Sequence, residues 1–137
     1  MTQDKGKLVH SHPANELTEK LFGFESVINK TKNADADAAN FHLASDAVPT
    51  GKIWKITYVA AWNEDGNVGT GIILDVYHDA TLTRFYREVA AVTKYVTANK
   101  LVEFYLDAGD YIEATFITVT IGNTCYLNIF GYEMNAP

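Results

Sequence analysis

The sequence has one cysteine in 137 residues, no cluster of lysine and arginine, and no apolar run approaching a membrane span. Each absence excludes a class. Cys125 alone cannot close an intramolecular disulfide, so a packed core rather than a covalent staple must hold the fold. It lies in the strand-like stretch TCYLNIFGYEM with no neighbouring histidine or cysteine to activate it, and it reads as a small buried thiol in a chain made in a reducing cytoplasm. Lysine and arginine total 11 against 17 acids, a formal net charge of −6, which makes the chain a poor counterion for nucleic acid. No stretch nears the roughly 18 uninterrupted apolar residues of a membrane helix, and the opening MTQDKGKLVHSHPANELTEK lacks the apolar core of a secretory signal. Neither nucleic acid nor a membrane is an expected partner.

The signatures of catalysis are also missing. No nucleophile elbow, phosphate-cradling glycine loop or metalloprotease motif occurs. His10 and His12 form an H-x-H pair, but no matched cysteine or carboxylate spacing completes a four-ligand site. Asp75, His78 and Asp79 fall together in LDVYHD, yet neighbouring strand residues point to opposite faces. NEDGN has the carboxylates of a calcium loop without the twelve-residue spacing. The expectation is a chain with no catalytic, cofactor or metal residues, and not an enzyme.

What is present is a core. Hydrophobic residues make up 47% of the chain and aromatics 12%, and a single domain of this length buries roughly two-thirds of its unfolded surface. Organisation changes near residue 24. Residues 1–23 carry scattered charge and few apolar groups, and in HPANELTEKLFG Asn15 is placed to cap a short helix with Leu17 and Leu21 on one face and Gly23 as its stop. Residues 24–137 read as about eight short strands (FESVINKT, NFHLAS, KIWKITYVAAW, IILDVYHD, TLTRFYREV, NKLVEFYL, YIEATFITVT and TCYLNIFGYEM, with a further stretch around TKYVT). They are divided by the turn-rich KNADADAA, VPTG, NEDGNVGTG, DAGD and GN, with no helical pattern between them. Regular short strands without helices indicate a sandwich or barrel.

One strand raises a question. Along residues 52–62, Ile53, Thr57, Val59 and Ala61 share one face, interrupted by Lys55, while Trp54, Ile56, Tyr58, Ala60 and Trp62 share the other. A sandwich strand meets the core with one face only, so two apolar faces predict a second layer: the arm or another subunit. TCYLNIFGYEM repeats the pattern, with Leu127 and Ile129 opposite Tyr126, Phe130 and Tyr132. Trp62, at the lip of NEDGNVGTG, is the expected interface anchor. The competing reading is a carbohydrate platform built from Trp62, Tyr77, Tyr86, Tyr95 and Tyr105, on which flat sugar rings would stack.

The stretches VPTGKIW, LDAGDYIEATF and NIFGYEM together resemble small jelly-roll structural proteins of tailed bacteriophages: a P-x-G-K-x-W turn opening an inner strand, an AGD turn before another, and GYE closing the last. The resemblance spans about residues 48–134 and does not reach the arm. It implies an all-β, eight-stranded jelly-roll-like antiparallel sandwich (24–137) behind an N-terminal arm (1–23). It also implies a virion location on the capsid surface after synthesis in the host cytoplasm, with the major capsid protein as partner. A cement, or decoration, protein needs a compact body, a subunit interface and an extension, whereas a tail fibre needs a long repetitive or coiled-coil shaft for which the pattern leaves no room. The expectation is therefore a capsid cement protein and a homo-oligomer, with a trimer favoured. Its shell or subunit contacts are assigned to Leu8, Val9, Leu17, Leu21 and Phe22 of the arm and Trp62 at the loop rim. The receptor- or carbohydrate-binding head of a tail fibre is the alternative.

Because the strand pattern begins at Phe24, deletion of residues 1–22 is expected to leave a folded sandwich, its β-type far-ultraviolet circular dichroism and cooperative thermal unfolding retained, while abolishing attachment to shells. Unfolding of the truncated chain would place the arm in the core; normal attachment would remove it as the tether.

Overall fold

The computed structural model describes residues 24–64, 70–92 and 97–137. Eight strands run in the order β1 (Phe24–Asp35), β2 (Asn40–Ala44), β3 (Lys52–Asn63), β4 (Thr70–His78), β5 (Thr81–Val92), β6 (Ala98–Leu106), β7 (Tyr111–Ile117) and β8 (Thr124–Asn135). They form two four-stranded sheets, β1-β8-β3-β6 and β2-β7-β4-β5, with antiparallel pairing throughout. Each strand of the first half pairs with its mirror in the second: β1 with β8, β2 with β7, β3 with β6, β4 with β5. That is a long hairpin rolled on itself, the jelly roll, and it divides the strands between two packed sheets.

The inner faces meet in one core. Trp54, Ile56, Val59, Leu106, Leu127 and Ile129 come from the first sheet; Leu43, Ile72, Leu74, Ile112, Ala114 and Phe116 come from the second. Cys125 lies in the same core, its thiol donating to the Asn123 carbonyl at 3.9 Å. Burial of such side chains supplies about 1.5–3 kcal/mol each and is the main term holding the sheets together. The edge strand β1 is protected by lysines on its inner face. Lys30 reaches over the Trp54 ring, 5.8 Å from its centroid, and Lys32 pairs with Asp46 at 2.5 Å. A charge on an otherwise open edge hinders pairing with a foreign strand.

The two apolar faces of residues 52–62 have a local cause. Ile56 pairs with Gly131 and Tyr58 pairs with Phe130, so Thr57 is an extra residue, a β-bulge, whose hydroxyl donates to the Phe130 carbonyl at 3.2 Å. Before the bulge Trp54 and Ile56 point into the core; after it Val59, Ala61 and Asn63 do. The inward set changes face in mid-strand. The expectation that whole faces are buried on both sides is thus corrected: Tyr58, Ala60 and Trp62 continue the outer row begun by Ile53 and Lys55.

Two other boundaries differ from the sequence pattern. KNAD is strand rather than turn, because Asn33 and Asp35 pair with Tyr126 and Thr124 and the Asp35 carboxylate accepts from the Thr124 hydroxyl at 2.7 Å. Strand β7 stops at Ile117, where Thr118 takes a φ of 62° and turns the chain. Of TKYVT, residues 93–96 fall outside the described set, as does the helix expected within the arm.

The bulge depends on Gly131. A Cβ built there would lie 2.0 Å from the Lys55 carbonyl oxygen and 3.0 Å from the Ile56 Cα, both backbone atoms that cannot swing aside. Gly131→Ala is expected to cost about 3 kcal/mol or more, the upper range of overpacking, read as a fall in the urea midpoint with an unchanged slope.

Candidate functional site

The outer face of the first sheet carries the largest concentration of exposed apolar side chains among the described residues. Alternation along β8 places Tyr126, Asn128, Phe130, Tyr132 and Met134 outward, a row without a single ionised group. Past the bulge, β3 adds Tyr58, Ala60 and Trp62; β1 adds Val27 and β6 adds Leu101 and Tyr105. Four of the six exposed large hydrophobics among the described residues lie here: Val27, Leu101, Tyr105 and Phe130, with Leu101 at 78% exposure. The formal charges near its centre cancel. Lys55 Nζ is 3.2 Å from Glu103 Oε2 and 5.7 Å from the Tyr105 ring centroid.

Trp62 lies on this face near the end of β3, half-buried. Its ring stacks on Tyr126, with centroids 5.0 Å apart and planes within 7°. The Tyr126 hydroxyl donates to the Glu64 carboxylate. Cross-strand pairing of Trp62 with Tyr126 causes the stack, since directly opposed residues bring their side chains together. Leu8, Val9, Leu17, Leu21 and Phe22 lie outside the described residues.

The aromatic platform suggested by the sequence does not assemble as a unit. Trp62 and Tyr105 share the outer face of the first sheet. Tyr77 stacks on Tyr111 across strands β4 and β7, with centroids 4.7 Å apart, on the outer face of the second sheet. Tyr86 packs against the core and donates to Glu88 at 2.8 Å, while Tyr95 is not among the described residues. Tyr58, Tyr126 and Phe130, by contrast, join the face because the bulge sets the β3–β8 register beyond it.

A second constellation sits where three turns converge. Asp110, only 3% exposed, accepts the Asp107 amide at 2.9 Å, the Asp79 amide at 3.1 Å and the His78 Nδ1–H at 2.5 Å. Its backbone carbonyl accepts from Val48 at 2.9 Å, and the Gly109 amide donates to the Val48 carbonyl at 2.9 Å. Gly109 has a φ of 93° and Gly51 one of 82°, positions that favour glycine. The Pro49–Lys52 turn closes through a 3.1 Å bond from the Lys52 amide to the Pro49 carbonyl. Two residues on, the Trp54 indole donates to Glu133 at 2.8 Å.

His78, Asp79 and Asp110 place one ligand-type atom each within 4.8 Å of one another. The geometry is that of a hydrogen-bonded framework. His78 Nδ1 is already engaged with Asp110, which also anchors the hairpin turn in which Asp79 and Ala80 take φ values of 49° and 64°. Asp75 does not join them: its buried carboxylate pairs with Arg84 Nε at 3.0 Å on the outer face of the second sheet. Asp110 was missed by the sequence reading as a centre of contacts. Its only signal is its place in AGD, where a carboxylate follows a glycine turn.

Titration at this site has a defined sign. The hydrogen bond to Asp110, with the negative charges of Asp110 and Asp79, pushes the His78 imidazole above its ordinary 6.5. Burial pushes the Asp110 carboxyl up, but the bonds from His78 and from the Asp107 and Asp79 amides outweigh it and hold the group below its ordinary 3.8. The His78 contribution to stability is therefore complete below about pH 6.5 and is lost as pH rises through the raised value. That of Asp110 is present above about pH 3.8 and is lost as pH falls through the lowered value. Asp110→Asn is expected to cost about 2 kcal/mol, the scale of a buried charge-assisted bond. It should also return the His78 titration, followed by its imidazole NMR shifts, toward the ordinary value. An unchanged His78 titration would mean that the pair does not form in solution.

No family model matches the sequence, and no curated protein matches it. Among solved structures, the chain is similar to the Drosophila NLP-core, whose crystal structure gives insight into pentamer formation and histone binding: 17% identity over 81% of this chain and 100% of that one, with a TM-score of 0.37. A likeness of that degree carries no functional inference for this chain.

Proposed function

We propose that the protein is a bacteriophage virion structural protein of the capsid cement, or decoration, type, which binds the head shell as a homo-oligomer. One observation carries the reading. The stretches behind the resemblance to phage jelly-roll proteins are bonded to one another: Val48, in VPTGKIW, to Gly109 and Asp110 of LDAGDYIEATF, and Trp54 of the first stretch to Glu133 of NIFGYEM. Gly131 of the same GYE receives the β3 bulge. The shared residue pattern is thus one connected framework within an eight-stranded jelly roll, and shared scaffolding of this kind supports kinship more than scattered matches do. The body offers a broad apolar sheet face, and residues 1–23 offer a segment that, fully extended, spans up to about 75–80 Å. Repetition over a shell makes weak individual contacts sufficient through avidity. The major capsid protein is the proposed partner, with Leu8, Val9, Leu17, Leu21 and Phe22 as arm contacts and Trp62 as the rim anchor.

The second reading, a receptor- or carbohydrate-binding fibre head, is favoured by one feature: the Trp62–Tyr126 stack beside the Glu64 carboxylate, an aromatic surface with a polar group at its edge.

One residue separates the two. Truncation of an interface anchor typically costs about 2 kcal/mol or more, roughly a thirtyfold loss of affinity. For the cement reading, Trp62→Ala is expected to weaken binding to purified empty shells by about that factor, with circular dichroism retained and no glycan-array signal from either form. Glycan binding by the wild type, lost in the variant while shell incorporation stays normal, would replace the cement reading with the fibre-head one.

A further inference from the structure

We infer that copies of this chain meet through the outer face of the β1-β8-β3-β6 sheet, so that the occupant of this face is a second copy of the same chain. The inference deepens the homo-oligomer reading above and rests on it. Three features of the face support this. The first is its charge. The molecule carries a formal net charge of −6, so two copies repel one another over most approaches, and the cost of like charges brought together is largest where they are desolvated. The outward row of β8 bears no charge, Lys55 and Glu103 cancel one another, and the remaining carboxylates stand at the margin near the end of β8 where Thr124 lies, Asp35 beside Thr124 and Glu64 bonded to the Tyr126 hydroxyl. The centre of this surface is where two acidic copies can come together without burying uncompensated charge, its carboxylates being left at one margin.

The second is size. Four strands spaced about 4.8 Å apart and rising about 3.3 Å per residue form a surface of about 20 Å by 35 Å, roughly 700 Å² in projection, close to the roughly 800 Å² per partner of a stable interface. The third is composition. Tyr58, Trp62, Tyr126, Phe130 and Leu101 project from it, and aromatic residues are enriched at interface centres while charge is depleted there. Among the described residues the other sheet offers a smaller apolar surface. Its outer face carries the Tyr77–Tyr111 stack and Leu82, but beside them Asp75 with Arg84, His42 bonded to Thr115 and Glu113, and Arg87 opposite Ile73, a more polar covering.

The test is sedimentation of the full-length protein across micromolar to millimolar concentrations, alongside Leu101→Glu and Phe130→Glu. Both side chains are exposed in the isolated chain, so the substitutions leave its core untouched. Leu82→Glu, exposed on the other sheet, is the control. The wild type is expected to associate, each variant of the face to shift dissociation at least thirtyfold toward monomer, and the control to behave as wild type. Hydroxyl-radical footprinting of the wild type provides a readout free of mutations: oxidation of Tyr58 and Phe130 falls on concentration, while that of Tyr77 and Tyr111 does not. A wild type that stays monomeric, face variants that associate normally, or protection of these residues only when shells are added would overturn the inference. Association through this face by a protein that ignores empty shells would leave the inference standing and remove the cement reading instead.

Discussion

The bulge at Thr57 over Gly131 is the constraint on which the rest of the molecule depends. Side chains on a strand alternate with a period of two, so one inserted residue exchanges the inner and outer sets for the remainder of the strand. In β3 this places Trp54 and Ile56 in the core at one end and Val59 and Ala61 in the core at the other, and it turns Tyr58 and Trp62 outward between strands β8 and β6. The core and the aromatic face are therefore consequences of the same event. Glycine is required at 131 because the backbone of the kinked strand occupies the volume of a Cβ.

The end of the sandwich near Asp110 shows how a jelly roll of short connections is tied off without disulfides. A single buried carboxylate satisfies donors from two separate turns, and its neighbours reach a third through backbone bonds. A buried charge is tolerable there because each of its hydrogen bonds is charge-assisted and because His78 supplies a compensating partner. This accounts for a cluster of one histidine and two aspartates in a scaffold whose proposed role involves no chemistry. The same groups make stability depend on pH in opposite directions at the two ends of the range.

The two outer faces differ in a way that suits the proposed role. One sheet is covered on its solvent side by polar pairs such as Asp75–Arg84 and His42–Glu113, the other by tyrosines, a tryptophan and exposed aliphatic groups with its few charges cancelled. A cement protein needs this asymmetry, because one surface must join subunits and another must remain soluble at the particle exterior. The stacked Trp62–Tyr126 pair stands at the edge of the apolar face, and the two proposed readings assign their contact to the same rings.

How much was legible in the residues divides along a physical line. The sandwich was readable from short alternating strands broken by glycine and aspartate turns, because alternation and turn chemistry are local properties. The place of Trp62 near the end of a strand was readable from the strand pattern ahead of the glycine-rich NEDGNVGTG. The positions of VPTG and AGD as turns were readable as well, since Gly51 and Gly109 take the positive φ such turns require. The meaning of two apolar faces on one strand was not readable. A bulge is specified by register between strands distant in sequence, here Thr57 against Phe130 and Gly131, and a period-two count along a single strand cannot detect it. The gathering of Asp110 with His78 and of Trp62 with Tyr126 was equally hidden, because each pair is separated by more than thirty residues and joined only when the rolled hairpin closes. Sequence alone determined most of the strands and turns, the KNAD segment and the end of β7 excepted. Only the tertiary structure decided which side of each strand faces the core, because that choice belongs to the pairing of strands and not to any strand by itself.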